Sequence, residues 1–71
     1  MIYFTKYAEK KFDILNKYHV YLRKEQIEDV LNLPDKTGRK GKYLTASKEG
    51  VKVIYKKEDD LVKVITFFPI K

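Results

Sequence analysis

The sequence predicts an α+β fold of order β-α-α-β-β-β, with two helices packed against a small antiparallel sheet, and three observations carry that prediction. Apolar residues recur at helical spacing in two segments of the first half. In the second half they alternate with polar residues in three runs separated by short turns. At 71 residues, 44% of them apolar and 14% aromatic, the chain can build one core and has no room for a second. Residues 1–71 read as a single domain.

Residues 2–4 (Ile-Tyr-Phe) favour a short edge strand, and Thr5 offers the side-chain oxygen that caps a helix start. From 6 to about 18, Ala8, Phe12 and Leu15 form an apolar stripe, with Glu9, Lys10, Asp13 and Lys17 elsewhere on the helix. Residues 19–22 break the pattern as a connector. A second helix runs from about 23 to 31, burying Ile27, Val30 and Leu31, and Pro34 stops it; its start lacks a short polar cap. Residues 35–41, DKTGRKG, have no apolar anchor and read as an exposed, mobile loop. Strands follow over roughly 42–46, 51–57 and 61–68, with turns at 47–50 and 58–60. Alternation puts Val51, Val53 and Tyr55 on one face of the middle strand and Lys52, Ile54 and Lys56 on the other. The last strand is apolar on both faces, Val62, Val64 and Phe68 opposite Leu61, Ile65 and Phe67, as an interior strand should be.

The net charge of +6 is segregated. Residues 36–57 hold Lys36, Arg39, Lys40, Lys42, Lys48, Lys52, Lys56 and Lys57 against the single acid Glu49, while the rest of the chain is nearly neutral. Such a surplus attracts polyanions, where an even spread would mainly aid solubility; a lysine-rich solvated face is the plain alternative. With no cysteine, disulfides, thiolate metal sites and a cysteine nucleophile are excluded. One histidine, His19, builds no ordinary transition-metal site, and the sequence calls for no metal and no cofactor. No apolar run approaches a membrane span, and the first residues do not form a leader, so the reading is a cytoplasmic protein without a membrane partner. Abundant Lys, Glu, Ile and Tyr with little Gln, Asn and Met resembles chains from heat-adapted organisms.

Three segments carry a family resemblance. Thr5-Lys6-Tyr7-Ala8-Glu9-Lys10-Lys11-Phe12 resembles the opening T-x-H-A-x-x-R-h pattern of the small prokaryotic DUF 4258 family, where h is apolar. Val30-Leu31-Asn32-Leu33-Pro34 resembles the end of that family's second helix, and Val64-Ile65-Thr66-Phe67-Phe68-Pro69 its closing strand V-x-T-h-h-P. That family in turn resembles the RelE/ParE toxin superfamily with its BrnT branch. The resemblance implies a RelE/BrnT-like domain, two helices beside a curved antiparallel sheet. It also implies RNA or the ribosome as partner, an acidic antitoxin, and in some relatives cleavage of messenger RNA. Two positions depart from the pattern: Tyr7 stands where the family has histidine, and Lys11 where it has arginine.

Metal-free RNA cleavage needs an aligned 2′-OH, charge stabilisation at the phosphorane and proton transfer to the leaving oxygen. Tyr7, Lys11 and Arg39 are the catalytic candidates, Arg39 because a guanidinium grips phosphate in a fork. The nucleic-acid-binding candidates are Lys6, Lys10, Arg39, Lys40, Lys42, Tyr43, Lys52 and Lys56, the lysines tracking phosphates and Tyr43 stacking on a base. Packing at the edge of the core is the favoured reading of Tyr7 and of Tyr55, and a helix-end partner or a buried aromatic that of His19. The functional expectation is a toxin-type RNA-binding domain, either a metal-independent endoribonuclease or a non-catalytic RNA- or protein-binding module, monomeric or a small homo-oligomer.

Overall fold

A computed structural model describes residues 1–70. Its elements run β1 (Ile2–Phe4), α1 (Lys6–Lys17), α2 (Lys24–Asn32), β2 (Lys36–Lys40), β3 (Tyr43–Lys48), β4 (Val51–Glu58) and β5 (Leu61–Pro69). The fold is α+β: two helices on one five-stranded, curved sheet of order β1-β5-β4-β3-β2. Strands β2 to β5 form an antiparallel meander, and β1 joins β5 in parallel, which makes the sheet mixed. No helix among the described residues is long and apolar enough to cross a membrane.

Thr5 ties the first helix to the sheet. Its hydroxyl accepts from the Ala8 amide at 3.2 Å, capping α1, and donates to the Val64 carbonyl of β5 at 3.0 Å. The helix ends in paired backbone bonds, Val20 N–H to the Leu15 carbonyl and His19 N–H to the Asn16 carbonyl. That closure requires a left-handed residue, and His19 supplies it with φ 62°. Helix α2 starts one residue later than the sequence suggests. Its missing cap is replaced from inside the helix, where Gln26 Oε1 accepts from the Arg23 N–H at 2.8 Å.

Ala8, Ile27 and Val30 of the helices meet Ala46, Val51, Val53, Val64 and Phe67 of the sheet in one core. Phe12 rests on Phe67 with ring centroids 4.5 Å apart, and Phe4 continues the stack at 5.8 Å from Phe12. Helix α1 lies over β5 and β1, and α2 over β4 and β3. Both therefore cover the same face of the sheet. The opposite face carries no helix, and β2 lies beyond the helical layer with every residue exposed.

Two features correct the sequence reading. Residues 36–40 are a strand and not a mobile loop: they pair along their length with β3, from Lys36 opposite Ser47 to Lys40 opposite Tyr43. An edge strand wet on both faces has no reason to alternate, so its sequence looks like a loop. In β5, Val64 and Phe67 are both fully buried although three residues apart, which a regular strand forbids. The register explains it: Ile54 pairs with Thr66 and Tyr55 with Val64, so Ile65 is skipped in a bulge. Val62, Val64 and Phe67 then share the helix side, while Leu61, Lys63, Thr66 and Phe68 face outward, a different division from the alternation expected. The interior position of β5 is as expected.

All three hairpins close with two residues. Gly41 (φ 62°) precedes Lys42, Glu49 (φ 50°) precedes Gly50 (φ 80°), and Asp59 (φ 53°) precedes Asp60. Positive φ at the first turn position matches the twist of the flanking strands. At Gly50 a side chain would also press on the Ile70 carbonyl, 3.2 Å from a Cβ built there.

Candidate nucleic-acid interface

The helix-free face is built from alternate residues of four antiparallel strands, and the register arranges them in rows across the sheet. One row runs Lys36, Ser47, Lys52, Phe68. The next runs Gly38, Thr45, Ile54, Thr66. The third begins Lys40 and Tyr43 and ends with Lys56 opposite Lys63, which Tyr3 of β1 adjoins. Five lysines thus occupy one face of the sheet, and Glu58 is the single acidic residue in any strand.

The cations differ in how they are held. Lys63 lies 2.9 Å and Lys56 3.6 Å from the Glu58 carboxylate. The Lys63 hydrogen bond holds the Glu58 carboxyl below the usual carboxylate range, and Glu58 holds the Lys63 ammonium above its ordinary value. On the helix side, Lys48 donates to Asp29 of α2 at 2.8 Å, which raises its pKa. Lys36, Lys40 and Lys52 make no ion pair among the described residues. Their charge is therefore uncommitted. Lys42 sits at the β2–β3 turn with its ammonium 5.8 Å from the centre of the Tyr43 ring, which is half-buried on the open face.

Between β2, β3 and β4 the face sinks into a depression of about 480 Å³, bordered by Lys36, Lys40 and Lys52 with Thr45 and Ser47 inside. Gly38 leaves the Thr45 hydroxyl uncrowded on this side. A Cβ there would stand 3.1 Å from Thr45 Oγ1.

The structure divides the sequence candidates in two. Lys40, Tyr43, Lys52 and Lys56 converge on the open face, and Lys42 stands at its corner. Arg39 borders the depression, but it pairs with Leu44, so the alternation directs its Cβ to the helix side. Lys6, Lys10, Tyr7 and Lys11 lie on α1, on the other side of the sheet and over its β1–β5 edge. Four strand spacings, roughly 19 Å, separate that edge from Arg39 on β2. Tyr7, Lys11 and Arg39 thus share no common point. Tyr7 is 65% exposed, while Tyr55 packs at the rim of the core. His19 is exposed beyond α1, its Nδ1 3.3 Å from the Tyr21 hydroxyl.

Sequence reasoning counted Lys36 in the basic stretch without naming it among the binding candidates, and it missed Gly38, Thr45, Ser47 and Lys63. The signal was the alternation of Tyr43, Thr45 and Ser47 with Leu44 and Ala46, legible once the strand is carried to Lys48. Among the described residues no group of three or more His, Asp or Glu is placed to hold a metal ion. The chemistry this face offers is cationic and hydrogen-bonding: ammonium groups for anionic oxygens, two hydroxyls, and an aromatic ring beside them. Comparison with family models, with curated proteins and with solved structures finds no match to this chain.

Proposed function

We propose that this protein is a RelE/BrnT-like toxin-type domain of the cytoplasm that binds single-stranded RNA on the open face of its sheet. The observation that supports this reading is the gathering of Lys36, Lys40 and Lys52, none of them ion-paired among the described residues, around a sheet face that no helix covers and that carries Tyr43. A phosphate backbone laid across the face meets Lys36 and Lys52 in one row and Lys40 and Lys56 in another, and Tyr43 offers a stacking surface for a base. Cleavage is the weaker half of the reading, because Tyr7 and Lys11 stand on the other side of the sheet from the cations that would hold the phosphate. Binding without chemistry is what this arrangement favours, with an acidic antitoxin as the protein that would cover the lysines.

Fluorescence anisotropy with a labelled single-stranded RNA of about a dozen nucleotides tests the binding. The expected result is binding at low salt that weakens several-fold in Lys52→Gln and is unchanged in Lys6→Gln. Equal loss in both variants would overturn the assignment of the face. Controlled expression in a bacterial host with primer extension on its messages tests the toxin half. New message ends with growth arrest establish cleavage; normal growth with intact messages leaves the binding module.

A further inference from the structure

We infer that the depression between β2, β3 and β4 is a phosphate subsite, in which the Thr45 hydroxyl hydrogen-bonds one phosphate oxygen while Lys36, Lys40 and Lys52 supply the countercharge. The inference rests on the proposed reading of the open face and makes it specific to one place and one chemical group.

Thr45 carries the argument. It is the one polar residue in the buried set, 8% exposed, yet it stands on the face without helices, between Gly38 and Ile54. Its hydroxyl takes part in none of the side-chain hydrogen bonds formed by the described residues. The residue is enclosed but its hydroxyl is not sealed off: among the described residues no buried side-chain oxygen lacks a hydrogen-bond partner, so Oγ1 keeps contact with water and is open to a ligand. Thr45 lines the depression beside Gly38, and a Cβ on residue 38 would crowd its hydroxyl, approaching Oγ1 to 3.1 Å. Gly38 otherwise weakens the strand it sits in, through backbone entropy and the absence of any packing. A glycine at the middle of β2 and a threonine at the middle of β3 directly opposite each other make a notch whose floor is a hydrogen-bond donor. Ser47 adds a second hydroxyl one pair along, flanked by Lys36 and Lys52.

A phosphate group fits this chemistry better than a carboxylate. It presents several anionic oxygens at tetrahedral angles, so one can enter the notch while others meet ammonium groups on both sides. The phosphate has two sources, an RNA backbone or a free phosphate or pyrophosphate, and the test separates them.

The experiment titrates the full chain, labelled with nitrogen-15, with a short oligouridylate and separately with inorganic pyrophosphate, following amide signals. Wild type is compared with Thr45→Val, Thr45→Ser and Gly38→Ala. The subsite requires that both ligands move the Gly38 and Thr45 signals. It further requires that Thr45→Val weaken each about tenfold, as loss of one hydrogen bond to a charged group should. Thr45→Ser should bind as wild type, and Gly38→Ala should lose affinity as Thr45→Val does. Thr45→Val should also melt close to wild type, since the hydroxyl it removes is open to water; a marked fall in the melting point would mark a structural role and overturn the subsite. Undiminished binding in Thr45→Val and Gly38→Ala also overturns it, and leaves lysine-dependent RNA binding standing. Pyrophosphate binding at Gly38 and Thr45 with no RNA binding upholds the subsite and overturns the RNA reading. Binding of neither ligand overturns both.

Discussion

His19 shows how a single residue can carry a cost that its contacts do not reveal. It holds φ 62° to close helix α1, a conformation in which an L side chain crowds the following carbonyl, and its ring lies beside Tyr21 at the surface. Glycine adopts the same angle freely. His19→Gly should therefore stabilise the fold by roughly 0.5–1 kcal/mol, after allowing for glycine's extra freedom in the unfolded chain. Urea unfolding checks it: the midpoint rises with an unchanged slope. A fall in the midpoint would mean that the His19–Tyr21 contact outweighs the backbone strain. At this scale the sequence was partly legible. Thr5 announces itself as a cap because a hydroxyl precedes a helical stripe. Its second bond, to the Val64 carbonyl, joins residues 59 apart in the chain and has no local signature.

The elements divide by whether one of their faces is buried. Helix α1, helix α2, β4 and most of β5 bury a stripe or a face, so periodicity revealed them. Strand β2 buries nothing. It exists because its backbone groups pair with β3 and because Gly41 turns the chain back, and neither fact leaves an apolar pattern. The bulge at Ile65 was hidden for the opposite reason: Val64, Ile65, Phe67 and Phe68 are all apolar, so every phase looks acceptable. The same gap limited the reading of the interface. Lys52 and Lys56 were placeable on one face from alternation within β4, whereas Thr45 and Gly38 required the pairing of two strands. The bulge makes a sharp prediction. Deleting Ile65 removes only the unpaired residue, so Val64 and Phe67 remain on the helix side; the protein should still unfold cooperatively, at a cost on the order of 2 kcal/mol. Deleting Lys63 instead slips Val62 to the wrong face and breaks the register with β1, and should abolish cooperative unfolding. Circular dichroism melts of the two deletions decide it. Equal outcomes would show that β5 tolerates either register.

Across the whole molecule, charge follows layer. The strands carry eight basic residues and one acid, and the helices five of each, so a neutral helical layer rests on a strongly positive sheet. Five of those eight cations, Lys36, Lys40, Lys52, Lys56 and Lys63, stand on the open face, and an anionic chain is drawn to that side before any contact forms. Four lysine–phosphate contacts there, from Lys36, Lys40, Lys52 and Lys56, would give single-stranded RNA a log–log salt slope of about −3. Anisotropy titrations between low and moderate salt measure it, and an affinity indifferent to salt would exclude phosphate contacts as the source of binding. The parallel pairing of β1 with β5 adds an order in time. Strand β1 is synthesised well before its sheet partners, Val62, Lys63 and Val64, which lie 60 residues further along the chain. Until they emerge, β1 has no neighbour, and α1 lacks both Phe67 and the carbonyl that anchors Thr5. The β2–β3–β4 meander needs only contiguous chain, so on the ribosome the cationic half of the sheet is free to form while the N-terminal segment still waits for its seat.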